Sequence, residues 1–233
     1  MRALNTFNME KNSVKEFEDA RWSGTDQTPV FRHAEALRMV SKGQKVLDIG
    51  CGDGLLLEAM VKKGVIVSGV DISEEGVKKC RAKGLEASVA NASHEKLPFQ
   101  DHSVDTVTLL DILEHVYSPE VLLKEAVRVS RKNVIISVPN FNSLPARIQV
   151  LLGRVPENNR PHKGHLYWFN YCVLLKLLKK SNLRVEEVSC NTFWENVPVI
   201  GFMMKGLCRL FPSLFALSFV VKASTIISDK NES

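Results

Sequence analysis

The stretch "KVLDIGCGDG", residues 45–54, decides how the rest of the chain is read. Strand-forming residues run without a break into glycines on alternate positions, Gly50, Gly52 and Gly54. Glycine lets a backbone turn left-handed and come close to whatever lies beside it. In an open parallel sheet, a glycine-rich first turn beyond the carboxyl end of a strand is where a cofactor meets the chain.

Outward from that turn, strand-like apolar runs at 46–50, 65–70, 87–90, 104–110 and 134–138 alternate with helix-like segments at 55–63, 74–83 and 119–128. The alternation predicts an α/β fold, a Rossmann-like doubly wound, mostly parallel seven-stranded sheet with helices on both faces. Ser118 before Pro119 marks a helix start, and Gly64 and Gly84 mark helix ends. A short amphipathic patch, Leu144, Ile148, Leu151 and Leu152, sits in an excursion over the sheet edge at about 140–168. Regular structure resumes as a helix near 170–181, a strand at 184–190, a helix near 199–210 and a last strand at 215–223. Residues 1–40, with Trp22, Phe31 and His33, are expected as a helical extension or lid over one end of the sheet, and residues 41–228 as the main domain.

The 233 residues suit one domain with modest additions, and 45% apolar with 24% charged residues is ordinary for a soluble globular protein. The N-terminus lacks the apolar core of a secretory signal, so a cytoplasmic location is expected. Lys205, Arg209 and Pro212 interrupt the apolar stretch 197–221, which argues for a buried helix followed by a strand and against a membrane span. Five cysteines without a Cys-x-x-Cys pair point to reduced thiols, and no metal is expected. A net charge of +5, scattered outside 147–165, disfavours nucleic acid as a partner.

A dinucleotide fold places a third glycine where this chain has Leu55. The observed Asp48-x-Gly50-x-Gly52-x-Gly54 instead resembles the first motif of class I S-adenosylmethionine-dependent methyltransferases. Asp71 closes "VSGVDIS", and "NASHEKLPFQDHSVDTVTLLDILEHV" is similar to the segment of that family running from adenine recognition into the fourth strand. The resemblance implies S-adenosylmethionine as cofactor. Asp48, Gly50, Cys51, Gly52 and Gly54 would hold its methionine end and Asp71 its ribose, with Ile72 alongside. Asn91 and Ala92 would meet the adenine, and Leu110 and Asp111 the neighbourhood of the sulfonium. Farther on, "VIISVPNFNSLPARIQVLLGRVP" resembles MetW-like methyltransferase proteins, although "ENNRPHKGHLYWFN" departs from their pattern. That likeness implies an alternative, a cofactor-binding accessory protein that partners an acyltransferase of methionine synthesis; a homodimer is also open.

Methyl transfer from a sulfonium asks the protein chiefly to align two reactants and exclude water. If the acceptor must lose a proton, His115 and His165 are the candidates, because imidazole exchanges protons near neutral pH. Glu114 and His115 also fit a turn into the following helix, and Asp111 fits a structural turn as well as a substrate contact. Asn140, His162 and Tyr167 belong to the same end of the sheet. Phe141, Trp168 and Trp194 suit an acceptor pocket or plain core, Arg147, Arg154 and Arg160 an anionic acceptor or a solvated face. Met203, Met204 and Phe202 read as core. "LLDILE" stands where an Asn/Asp-Pro-Pro-Tyr/Phe tetrapeptide would mark amino-methylation of adenine or glutamine, leaving a small-molecule or lipid-like acceptor.

Overall fold

Successive side chains of a strand point to opposite faces, and the central strands here sort their apolar residues accordingly. Leu47 and Ile49 join one buried cluster with Val134, Ile136, Val138, Phe219 and Val221. Val46, Ile135 and Val220, from between them, join another. The computed structural model describes residues 15, 16, 18–20, 22, 30–160, 163–195 and 197–226.

The strands are β1 (Lys45–Ile49), β2 (Ile66–Asp71), β3 (Ala87–Val89), β4 (Val104–Leu110), β5 (Ser130–Pro139), β6 (Leu183–Thr192) and β7 (Ala216–Thr225). They form one seven-stranded sheet in the order β3-β2-β1-β4-β5-β7-β6. β1 to β5 pair in parallel, and β7 runs antiparallel between β5 and β6. The chain winds to one side through β2 and β3 and to the other from β4 onward, so a crevice opens beyond the carboxyl ends of β1 and β4.

The helices are α1 (Phe31–Met39), α2 (Leu55–Lys62), α3 (Glu74–Ala82), α4 (Pro119–Val129), α5 (Leu144–Leu151), α6 (Tyr171–Lys180), α7 (Pro198–Leu210) and the short α8 (Pro212–Phe215). α4 buries Leu122, Leu123, Ala126 and Val129, the one-sided spacing of a helix lying on a sheet. α6 does the same with Leu174, Leu177 and Leu178, and Asn170 caps it by accepting from Val173 N–H at 2.9 Å. These two helices cover the larger cluster. α1 and α2 supply Ala36, Met39, Leu56 and Met60 to the opposite layer.

The structure departs from the sequence reading at the greasy C-terminal stretch. α7 buries Gly201, Met204 and Cys208, while Val199, Phe202, Met203 and Leu210 are exposed. Only one side of it meets the sheet, so Met203 and Phe202 are surface residues and not core. Every side chain of α5 also keeps some exposure. Cys190 of β6 and Cys208 of α7 approach each other, their Cα atoms 7.3 Å apart. α7 packs on β6 and so brings these two of the five cysteines side by side. Ser118 precedes α4 as expected, but among the described residues its hydroxyl caps no N–H of the first turn. No helix among the described residues is long and apolar enough to cross a membrane. His162 and most of residues 1–29 lie outside the described residues.

Candidate active site

The turn after β1 is held open from two sides. Gly50 and Cys51 both donate N–H to the Val70 carbonyl, at 2.7 and 3.1 Å, which staples the loop to the end of β2. Gly50, Gly52 and Gly54 have φ of +84°, +51° and +80°, the left-handed region that glycine tolerates. A Cβ on Gly52 would stand 2.1 Å from the Trp22 ring. Trp22 belongs to a helical stretch with Glu18 and Asp19, so the loop is pressed by a side chain from far upstream. Gly52→Ala is expected to cost about 1–3 kcal/mol, combining an overpacked contact with a left-handed alanine. Urea denaturation should show the loss, and an unchanged midpoint would contradict this packing.

Asp71 ends β2 with both carboxylate oxygens anchored by the backbone. Gly52 N–H donates to Oδ2 and Ser73 N–H to Oδ1, each at 2.8 Å. Each carboxylate oxygen can accept more than one hydrogen bond, and Asp71 lines the crevice. Ile72, Asn91 and Ala92 line the same crevice. Asn91 Oδ1 accepts from Ser93 N–H at 3.2 Å, which fixes the turn after β3. Asp19 reaches this end too, accepting from the Ser73 hydroxyl at 2.6 Å.

Asp48, on β1 beneath the glycine turn, is buried and accepts from the Thr108 hydroxyl at 2.5 Å. Burial pushes its carboxyl up to about 7, because removal from water disfavours the charged form. Cys51 shares a hydrogen bond with Cys80, and this with its burial drives its thiol pKa upward. A thiol kept protonated is a poor nucleophile, which leaves Cys51 a packing role in the turn.

Leu110 and Asp111 close β4 and also line the crevice. Asp111 has φ of +52°, with its carboxylate 3.1 Å from Arg32 Nη1 and accepting from the Ser137 hydroxyl. Arg32, from α1, is a contributor that sequence reasoning passed over. Its neighbour His33 is pushed down to about 4 by burial, with Arg32 adding to the effect.

At the outer end of the crevice, the 3-10 turn Leu113–His115 presents His115. Leu166 and Tyr167 donate N–H to the Glu114 carbonyl at 2.7 and 3.0 Å, which binds the excursion after α5 to the end of β4. His165 is thereby brought against His115, ring centres 4.8 Å apart, with Phe141 edge-on to His165 at 5.3 Å. Glu18 Oε1 lies 4.0 Å from His115 Nδ1. The excursion's other candidates point elsewhere. Asn140 is buried and donates its amide to the Ser213 and Ala216 carbonyls, so it is a corner of the fold. Trp168 and Trp194 are exposed.

Residues 31–189 match the family model described as "Methionine biosynthesis protein MetW". The chain belongs to the MetW family. This MetW-family chain is also 30% identical over 179 residues to a ubiquinone biosynthesis O-methyltransferase of Xanthomonas oryzae pv. oryzae, covering 72% of this chain and 75% of that protein. Its fold matches that of a SAM-dependent methyltransferase of Archaeoglobus fulgidus with a TM-score of 0.60 at 24% identity, covering 83% of this chain and 92% of the other. It matches magnesium protoporphyrin IX methyltransferase of Synechocystis, solved with bound SAH, with a TM-score of 0.64 at 17% identity, covering 92% and 99%. The protein is an S-adenosylmethionine-dependent methyltransferase of Rossmann-like fold.

Within this MetW-family chain, the cofactor candidates Asp48, Gly50, Cys51, Asp71, Ile72, Asn91, Ala92, Leu110 and Asp111 line one crevice, and His115 joins them. Gly52 and Gly54 shape the turn behind it. Glu18, Trp22 and Arg32 are also among the lining residues, and no local motif announces them. The signal for this segment is the position of Trp22, Phe31 and His33 before the first strand.

Proposed function

We propose that this protein transfers the methyl group of S-adenosylmethionine to a hydroxyl oxygen of a small-molecule or lipid-like acceptor by in-line displacement. The observation that carries the reading is Asp71, a backbone-anchored carboxylate beside a positive-φ glycine turn at the point where strand order reverses. A ribose diol needs a carboxylate acceptor of this kind, and a nucleoside needs a backbone without side chains beside it. The residues present fit the cofactor on both counts.

S-adenosylmethionine, when bound, supplies an activated methyl group on a sulfonium. The chain's own part is to grip and exclude water. Asp71 takes the ribose, Asn91 and Ala92 the adenine, and Asp48 with the glycine-turn amides the methionine end. His115 lines the crevice where the acceptor's proton must be dealt with, and His165 stands against it. Glu18, Asp19 and Trp22 act as part of a lid that shuts the crevice from water. The oxygen acceptor is favoured by the relatives, which carry the name O-methyltransferase.

The test is a screen of metabolite extracts with isotopically labelled S-adenosylmethionine. Label is expected in a hydroxylated compound, and S-adenosylmethionine should raise the melting temperature where NAD does not. Label appearing only on nitrogen or carbon would reject the oxygen acceptor. The description as a methionine biosynthesis protein favours a second reading, for which the sequence resemblance implies an accessory protein that binds the cofactor and an acyltransferase without turnover. Stabilisation by S-adenosylmethionine with no labelled product, together with co-purification of that enzyme, would favour it.

A further inference from the structure

We propose that Glu114, His115 and His165 hold one divalent transition-metal cation, and that this cation coordinates the hydroxyl oxygen of the methyl acceptor. The proposal rests on reading the crevice as the S-adenosylmethionine site and deepens it by naming what activates the acceptor. Each of the three residues offers a ligand atom, and these atoms lie within 4.8 Å of one another. Metal–nitrogen and metal–oxygen bonds of about 2.0–2.2 Å place two ligands of one ion about 3–4 Å apart. Side-chain adjustments of about an ångström therefore close the site.

The tautomers suit ligation. His115 Nδ1 lies 3.2 Å from the Gly164 carbonyl oxygen, and His165 Nδ1 lies 2.7 Å from that of Asn158. A carbonyl only accepts, so these contacts suit a proton on Nδ1, and a neutral ring protonated there carries its lone pair on Nε2. Metal-binding histidines have this arrangement, with the second nitrogen donating to a carbonyl that orients the ring. Glu114 is 1% exposed, and a carboxylate so buried favours a site where its charge meets a positive one.

Two imidazoles and a carboxylate suit zinc, manganese, iron or cobalt and leave coordination positions open for an outside oxygen. A hydroxyl bound there loses its proton to water more readily, because the cation offsets the negative charge left on oxygen. That oxygen then forms a bond to the methyl carbon as the carbon–sulfur bond breaks, and the sulfonium becomes a neutral thioether. The histidines serve as ligands in this step, not as bases. Asp111 takes no part, being held by Arg32 and Ser137.

The experiment uses the full chain, stripped with a chelator, incubated with Zn²⁺ or Mn²⁺ and desalted. Bound metal is counted by mass spectrometry, and affinity is read by competition with a chelating dye. One equivalent per chain is expected. His165→Gln should weaken binding by about tenfold or more, with far-UV circular dichroism and stabilisation by S-adenosylmethionine unchanged. Glu114→Gln should do the same. If that buried variant fails to fold, the half-buried His165→Gln still decides. Absence of stoichiometric metal, or equal affinity in folded His165→Gln and the parent, would overturn the cation site. Loss of the S-adenosylmethionine shift in the parent would instead overturn the cofactor reading on which it rests.

Discussion

Asp71→Ala is expected to weaken S-adenosylmethionine binding by more than about 100-fold. A hydrogen bond to a charged group contributes about 1.5–3 kcal/mol, and in the proposed site a ribose diol would make two to this carboxylate. The loss is then about 3 kcal/mol or more, which converts to the stated factor. The substitution also strips partners from Gly52 N–H and Ser73 N–H, both now 2.8 Å from Asp71 oxygens. The glycine turn should loosen with them. Calorimetric titration should therefore show no measurable heat of binding at cofactor concentrations that saturate the parent. Full affinity in the variant, with circular dichroism showing it folded, would remove the ribose assignment and the orientation of the cofactor with it.

Asp48→Asn should alter how stability depends on pH. Burial raises the Asp48 carboxyl to about 7, well above the ~3.9 of an unfolded chain. The folded protein then holds a proton that the unfolded chain gives up between those values. This contribution is complete below about pH 4 and is lost as pH rises to about 7, on the order of a few kcal/mol. His33 acts oppositely. Its folded value is lowered to about 4, so its contribution is complete above about 6.5 and lost as pH falls toward 4.

The two trends overlap in the parent, and the comparison with Asp48→Asn separates them because His33 cancels. An asparagine cannot ionise, so the ligand-free variant should gain stability relative to the parent between pH 5 and pH 8. Urea midpoints at both values would show it. Should the difference between the two proteins stay constant with pH, Asp48 does not titrate in this window. The same substitution should weaken the cofactor, since in the proposed site the ammonium of its methionine end would lose an anionic neighbour. In the parent, binding below pH 7 should release a proton, seen as a buffer-dependent heat.

These sites were legible in the sequence to different depths. Gly50, Gly52, Gly54 and Asp71 could be placed because the strand–turn–helix signal is local and each residue lies within a few positions of a strand end. His115 and His165 were individually visible as titratable groups, but their meeting was not. It depends on the Glu114 carbonyl accepting N–H groups from Leu166 and Tyr167, a backbone pairing across about 50 residues with no periodicity. Arg32 on Asp111 and Trp22 on Gly52 were hidden for the same reason. The C-terminal stretch misled because apolar composition cannot say how much of a helix is covered. α7 has enough hydrophobic residues for burial, yet only one side of it packs, and Phe202 and Met203 face outward.

By itself the sequence determined the alternation of strands and helices, the glycine turn, and the acid that closes β2. Those depend on propensities and patterns read within ten residues or so. The tertiary structure alone decided that β7 slots antiparallel between β5 and β6, that Cys190 meets Cys208, and that Glu114, His115 and His165 share one small volume. Long-range contacts of this kind follow from which surfaces bury one another once the sheet has formed, a competition among the whole chain's apolar faces that no short window contains.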